Sequence, residues 1–285
     1  MRTSPGMCRR IRSTRLDPKV NVAEDQLRAG DLAGCLADLQ QQVRRSPADP
    51  RQRIFLAQLL MVSGDWERAQ AQLEVVGSLD ASALPMVHTY RSAIECERLR
   101  QSVLRGERSP LVFGAPEPWI SLLIEALTVG AGQSARASEL RAQAFEAAPT
   151  SAGSLNGVEF EWIADADSRL GPVLEVLLNG AYYWVPMHRV AAMTADPPAD
   201  LRDLVWLPVH LSWSNGGEDV GLVPTRYVGT ETLADDALKL SRKTEWAAIG
   251  ADMFAGSGQR LLATSVEEVP LLSVRELTLR PGPVA

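Results

Sequence analysis

The three histidines are the first candidates for a chemical role in this sequence, because imidazole binds metals and transfers protons near neutral pH. His88, His188 and His210 are widely separated, and none has a partner ligand three or four residues further on. Metal ligands cluster and are held by surrounding polar groups. The sequence therefore predicts no metal site and assigns the histidines to packing or to the surface.

A group of acidic residues is a second candidate for ion binding. Glu159, Glu161, Asp165 and Asp167 lie within nine consecutive residues. Aspartates at this spacing can bind calcium, but the glycine and the closing glutamate of a calcium loop are missing. Asp side chains also form turns by accepting hydrogen bonds from nearby backbone, and Arg169 is close enough to pair with an acid. We predict a turn here.

Residues 255–260, Ala-Gly-Ser-Gly-Gln-Arg, look like half of a phosphate-binding loop. The Gly-Lys-Ser/Thr ending is missing, and no clear helix follows. We interpret this segment as a flexible turn before a strand. A Gly-x-Ser-x-Gly motif, which would place a hydrolase nucleophile, is absent from the sequence. The sequence thus predicts no catalytic residue and no cofactor.

Two short stretches combine charged and aromatic residues: 224–227 (Pro-Thr-Arg-Tyr) and 243–246 (Lys-Thr-Glu-Trp). Trp, Tyr and Arg are enriched at the centres of protein interfaces, although they also pack small cores, so both roles remain open. The partner-binding residues that we predict are Trp206, Trp213, Asn215, Arg226, Tyr227, Lys243, Glu245 and Trp246. One alternative is an enzyme site around Arg226, Lys243 and Glu245; another is a self-associating scaffold.

The elements that would position these residues begin with a hairpin in residues 201–227. Two apolar runs flank Asn215-Gly216-Gly217, and such a turn between strand-like runs is the strongest short hairpin signal. Asn179-Gly180 indicates a second hairpin, because Asn and Gly accept positive φ. Further strands are predicted at 259–265 and 269–274, and a short helix at 235–240. We therefore expect a small mixed, mostly antiparallel β domain with short helices over residues 158–285.

The first half of the chain carries a helical repeat. Gly30-Asp31 recurs as Gly64-Asp65 after 34 residues, which is the tetratricopeptide period. A third copy is degenerate, since Arg141 stands where the repeat expects a large apolar residue. Helix pairs of this kind bury their apolar faces by stacking on neighbours. We predict a tetratricopeptide-like all-helical array over residues 21–150, and an α+β protein as a whole.

The charge of the chain is unevenly distributed. The net charge is −6, but the first fifteen residues contain five arginines and no acid, leaving 24 basic and 35 acidic residues elsewhere. We expect a disordered basic tail over residues 1–20, or an upstream start codon. An acidic body argues against nucleic acid as the main partner. The apolar runs are too short to span a bilayer, and Cys8, Cys35 and Cys96 form no disulfide pattern, which favours a reducing cytoplasm.

Three motifs resemble the ImpE/TagJ family of type VI secretion accessory proteins. They are FEWIADADSRLGPVLEVLLNGAYYWVP at 160–186, LRDLVWLPVHLSWSNGGEDVGLVPTRY at 201–227, and KTEW at 243–246 together with GQRLLATS at 258–265. The resemblance extends over residues 26–279. It implies a non-enzymatic cytoplasmic protein that contacts a helix near the amino terminus of the small contractile-sheath subunit, beside the AAA+ ATPase that disassembles contracted sheath.

We therefore expect a non-catalytic adaptor that binds a helical segment of the small sheath subunit and reaches the ATPase at most indirectly. We do not expect the protein to bind nucleic acid or to insert into a membrane. Helical repeats present concave grooves that take a peptide helix, but the unusual motifs lie in the carboxy-terminal half. We favour that half for the partner site, although the same motifs could simply define its fold.

Overall fold

The structure is a computed structural model, and it describes residues 25–130, 132 and 134–280. The predicted basic tail over residues 1–20 and Cys8 lie outside the described residues. After a helical turn at residues 25–29, the first half consists of α1 (Leu32–Arg45), α2 (Pro50–Val62), α3 (Trp66–Leu79), α4 (Leu84–Leu104), α5 (Pro118–Val129) and α6 (Ser134–Ala147).

The repeated Gly-Asp pair ends one helix and begins the next. Gly30 and Gly64 have φ values of 84° and 76°, a conformation that residues with a Cβ rarely adopt. Asp31 and Asp65 then cap α1 and α3 by accepting hydrogen bonds from backbone N–H groups of the first turn, at 2.7 Å and 3.4 Å. The predicted tetratricopeptide-like pairing of helices is confirmed.

The second half is built from strands, one short α-helix, α7 (Asp236–Lys239), and 3-10 helices at Met187–Arg189, Leu201–Leu204, Thr230–Thr232 and Leu271–Ser273. The strands, including one from the linker between α4 and α5, are β1 (Leu111–Val112), β2 (Gly153–Leu155), β3 (Val158–Phe160), β4 (Ile163–Asp165), β5 (Val173–Leu178), β6 (Ala181–Pro186), β7 (Val190–Thr194), β8 (Trp206–Trp213), β9 (Glu218–Pro224), β10 (Thr244–Gly250), β11 (Met253–Gly258), β12 (Leu261–Thr264), β13 (Glu268–Pro270) and β14 (Glu276–Leu279).

These strands form three sheets. The largest has the order β1-β6-β5-β9-β8-β7-β14-β2-β3, the second is β13-β12-β4, and the third is the hairpin β10-β11. Every pairing is antiparallel except that of β1 with β6. The predicted α+β class with a mostly antiparallel second half is confirmed.

The two hairpins expected from Asn-Gly pairs are present. Strand β8 pairs with β9 around Asn215, and β5 pairs with β6 around Asn179 and Gly180, whose φ values are 50° and 78°. Two consecutive positive φ values are those of a type I′ turn. The interpretation of residues 255–260 as a turn was wrong, because residues 253–258 form β11; β14 and the β10-β11 hairpin were not predicted.

One hydrophobic core joins the helices to the sheet. It contains Leu59 and Ile94 of the helices together with Tyr182, Trp184 and Trp206 of the strands. Strand β5 is buried on both faces: alternate side chains enter this core and a second core enclosed by the sheet. The sequence changes from helix to strand at residues 150–157, but the buried core crosses that boundary.

Candidate protein-binding site

The eight residues predicted to bind a partner fall into two groups. Trp206, Trp213, Arg226 and Tyr227 are buried, with at most 4% of each exposed. Asn215, Lys243, Glu245 and Trp246 lie at the surface. A side chain inside the core cannot touch a partner without unfolding its surroundings. The structure therefore corrects the prediction for the first four residues, which pack inside the protein.

The two buried tryptophans are fixed by aromatic and polar neighbours. Trp206 stacks on Trp66 with ring centroids 6.0 Å apart and donates its indole N–H to the buried Glu97 carboxylate at 2.9 Å. Trp213 packs against Phe113 at 4.3 Å. A buried indole N–H needs an acceptor, and each of these tryptophans has one in an acidic side chain. Both residues therefore define the fold.

Arg226 holds the ends of two helices. Its guanidinium donates to the main-chain oxygens of Met61 and Val62 at the end of α2, at 3.3 Å and 2.6 Å, and to that of Lys239 in α7 at 2.7 Å. The last carbonyl groups of a helix lack hydrogen-bond donors within the helix, and the Arg226 guanidinium provides such donors. Burial lowers the pKa of Arg226 to about 10. Its donors are directed at backbone, so it does not converge with Lys243 to form a catalytic site.

Tyr227 forms the floor beneath the β10-β11 hairpin. Its ring lies 5.5 Å from that of Trp246, and its hydroxyl accepts a hydrogen bond from the Leu261 N–H at 3.1 Å. A Cβ on Gly256 would lie 2.2 Å from the Tyr227 ring, so only glycine fits there. Burial raises the pKa of Tyr227, which remains a neutral packing residue.

The surface above Tyr227 carries two half-exposed aromatic side chains. Trp246 is 38% exposed and Phe254 is 45% exposed. In the hairpin Trp246 faces Gly256 and Ala248 faces Phe254, so all four lie on one face of the two strands. We call Trp246 and Phe254 the aromatic patch. Large half-exposed aromatics over a rigid floor are typical of protein-binding surfaces.

Charged residues lie beside the aromatic patch. The Lys243 ammonium is 2.6 Å from Asp235 and 2.6 Å from Glu245. These hydrogen bonds, first that to Asp235 and then that to Glu245, raise the pKa of Lys243. Exposed pairs of this kind contribute little to stability and are available to exchange partners. Asn215 precedes β9 whereas Tyr227 follows it, so a strand of roughly 20 Å separates Asn215 from the patch.

The hairpin is fixed to the body of the protein along β11. The backbone N–H of Gly256 donates to Asp167 at 2.9 Å, and that of Phe254 donates to the Ser168 hydroxyl at 3.0 Å. The acidic segment does form a turn, since Asp165 accepts a hydrogen bond from the Asp167 N–H at 2.8 Å. Its second role, holding the hairpin that carries the aromatic patch, had no signal in the sequence.

A buried ionic network joins the helices to the strands below this site. Arg100 of α4 donates two hydrogen bonds of 2.8 Å to the Glu175 carboxylate in β5. Arg260 lies 3.1 Å from Glu175 and 2.7 Å from Asp165. Burial alone would raise the pKa of Glu175, but the two arginines outweigh it and lower the pKa to about 2. Burial raises the pKa of Asp165 to about 6, against the opposing effect of Arg260.

Sequence reasoning missed this network because its members are far apart in the chain. The available signal was Glu175 inside the apolar run Val-Leu-Glu-Val-Leu-Leu, since a charge in a buried strand requires a partner. Among the described residues, no group of three or more His, Cys, Asp or Glu side chains could hold a metal ion. In the same part of the chain, no helix is long and apolar enough to cross a membrane.

The fold agrees with what comparison with known proteins finds. The ImpE protein family model matches residues 157–278, and a tetratricopeptide repeat model matches residues 26–94. The chain belongs to the ImpE/TagJ family of type VI secretion system accessory proteins.

Two relatives cover nearly the whole chain. The type VI secretion system accessory component TagJ of Pseudomonas aeruginosa strain PAO1 is 51% identical over 261 residues, which are 91% of this chain and 92% of TagJ. The crystal structure of protein VPA1032 from Vibrio parahaemolyticus superposes with a TM-score of 0.83 at 27% identity, covering 91% of this chain and 97% of that one. The resemblance drawn from the sequence motifs is thereby confirmed.

Proposed function

We propose that this protein is a non-catalytic adaptor of type VI secretion that works in the cytoplasm and binds a helical segment near the amino terminus of the small contractile-sheath subunit. The aromatic patch of Trp246 and Phe254 receives the apolar side of that helix. Lys243 and Glu245 contact its polar side. Through the sheath subunit, the adaptor assists handling of the sheath near the AAA+ ATPase that disassembles it.

The observation that carries this proposal is the exposed aromatic patch on a hairpin that the body of the protein holds in place. A helix that binds to a surface contributes side chains at i, i+3, i+4 and i+7. The two aromatic residues on one face of the hairpin offer apolar contacts for these side chains. Family membership supports an accessory role in type VI secretion. The enzyme alternative has no comparable support, because Arg226 is occupied by main-chain oxygens.

The test is binding of a fluorescently labelled peptide that corresponds to the amino-terminal helix of the small sheath subunit, followed by anisotropy. Loss of a central interface tryptophan costs about 2 kcal/mol, so we expect Trp246→Ala to weaken binding roughly 30-fold and Phe254→Ala to weaken it less. Trp162→Ala is the matched control, since Trp162 is 43% exposed but lies in the turn between β3 and β4.

The outcomes separate the partner from the site. Absence of binding, or equal binding of a peptide with the same composition in scrambled order, would refute the proposed partner. Binding that is unchanged by Trp246→Ala, or equally weakened by Trp162→Ala, would keep the partner and refute the aromatic patch as its site. Circular dichroism of each variant would confirm that the fold is retained.

A further inference from the structure

Strand β10 is the outer strand of its hairpin and has an unpaired edge. On β11, the backbone groups of Phe254 and Gly256 point away from β10, because they bond to Ser168 and Asp167. Backbone groups of an antiparallel pair alternate between pointing inward and outward. Trp246 and Ala248, which face Gly256 and Phe254, must therefore direct their N–H and C=O groups outward from the hairpin. Within the described residues these groups meet no hydrogen-bond partner.

This edge is open along four consecutive residues, since 245–248 are all exposed. Natural proteins block such edges with proline, lysine or bulges, because an open edge pairs with another strand. Residues 245–248 contain neither proline nor lysine. The structural features that could block pairing lie beyond this segment of the strand. The ladder becomes irregular between Ala248 and Gly250, and Gly250 is close to Ser138 of α6.

We propose that a second copy of this chain pairs with the first along the β10 edge, in an antiparallel arrangement with a two-fold axis at Ala247. Identical strands related by such an axis present the same surface to each other. Trp246 of each copy then faces Ala248 of the other, and the two pairs exchange four backbone hydrogen bonds. The two-fold pairing joins the two hairpins into one four-stranded sheet.

Size and charge are compatible with a second copy in this position. The large Trp246 side chain meets the small Ala248, so the strands approach without a clash between two large residues. Glu245 faces Ile249, and like charges do not meet directly. In this pairing each copy contributes six or seven residues of one hairpin. The surface area that these residues bury is much smaller than that of a standard interface, which is about 800 Å² per partner. The dimer is therefore weak and depends on protein concentration.

Pairing along the edge leaves the aromatic patch of each copy on the same face of the joined sheet. A dimer would thus present two partner sites at a fixed spacing, which strengthens binding to a repetitive target through the higher effective concentration of the second site. The proposal itself rests on the β10 edge alone and does not require the function proposed above.

The first experiment is sedimentation velocity of the full chain over a range of concentrations, because a weak dimer forms only when the concentration approaches its dissociation constant. Ala248→Pro removes one outward N–H and places a ring on the edge, while it leaves the β11 ladder intact. We expect at least a tenfold rise in the dimer dissociation constant for Ala248→Pro and an unchanged constant for Ala248→Ser, which keeps the N–H and remains small opposite Trp246.

The second experiment traps the pair with a disulfide. At the two-fold axis the two Ala247 residues form a non-hydrogen-bonded pair with Cα atoms about 4.5 Å apart, a distance that a disulfide can span. In a Cys8→Ser background, we expect Ala247→Cys to cross-link on mild oxidation. Ser257→Cys, on the same hairpin face but on the inner strand β11, should not.

Each outcome decides the proposal. A chain that stays monomeric at all concentrations and gives no Ala247→Cys cross-link would overturn it. A dimer that persists in Ala248→Pro, or that cross-links equally through Ser257→Cys, would assign self-association to another surface and would also overturn it. Binding of the sheath peptide is measured separately, so its failure leaves this result unaffected.

Discussion

Glu175 offers the sharpest test of the physical account of this fold. Its carboxylate is fully buried and is held by Arg100 and Arg260. Glu175→Gln keeps the shape but removes the charge, which leaves two buried guanidinium groups with less compensation. Removing one partner of a buried ion pair costs about 3–5 kcal/mol. A pKa that falls from 4.5 to about 2 on folding corresponds to about 3 kcal/mol.

The pH dependence gives the sign of this effect. The folded pKa of Glu175 lies below its unfolded pKa, so its contribution is fully present above pH 4.5 and is lost as the pH falls towards 2. Urea unfolding at pH 7, followed by circular dichroism, should show Glu175→Gln about 3 kcal/mol less stable than the parent protein. That difference should shrink steadily between pH 4.5 and 2.5.

The matched control is Glu107→Gln. Glu107 also accepts two hydrogen bonds from one arginine, Arg105, at 2.8 Å and 2.9 Å, but this pair is at the surface. Screening by solvent makes such a pair nearly neutral for stability, so the control should unfold like the parent. Glu175→Gln unfolding like Glu107→Gln, or a difference independent of pH, would refute the reasoning.

Two further predictions concern packing and burial. Gly256→Ala places a Cβ 2.2 Å from the Tyr227 ring and should lower the free energy of unfolding by about 1–3 kcal/mol, measured by thermal or urea unfolding. Burial raises the pKa of Cys35 to about 11 and that of Cys96 to about 12; in a Cys8→Ser variant we therefore expect a thiol reagent at pH 8 to label neither cysteine until urea unfolds the protein.

These predictions have clear contrary outcomes. Gly132→Ala is the control for the packing prediction, since nothing lies within 4 Å of a Cβ at Gly132; equal stability of the two alanine variants would show that the contact with Tyr227 is unimportant. Rapid labelling of either buried cysteine in the folded protein would show that the helical core opens more readily than its packing implies.

The sequence predicted those features whose signals are local. Asn179-Gly180 and Asn215-Gly216 required turns with positive φ, and the Gly-Asp pairs required a helix end followed by a cap; each of these depends on the few residues around it. The long motifs of the carboxy-terminal half carried the family resemblance, which the comparisons confirm. These are the cases in which neighbouring residues determine the conformation.

The features that were missed depend on residues far apart in the chain. Trp206 and Arg226 have the composition of an interface, but Glu97 and the end of α2 bury them, and neither contact can be inferred from spacing. Strand β10 contains two alanines and is exposed on both faces, so it shows no alternation of apolar and polar residues. Of the predicted site, the surface residues Asn215, Lys243, Glu245 and Trp246 remain candidates for contact.

The short strand β1 has a consequence for how this chain is made. Leu111 and Val112 come from the linker between two helices, yet they pair with Tyr183 and Trp184, about seventy residues later in synthesis. When the helical half has left the ribosome, the apolar side chains that will meet Trp184 and Trp206 still face water. During synthesis the helical half therefore exposes an apolar surface that chaperones can bind. This surface is covered only after β8 has been synthesised.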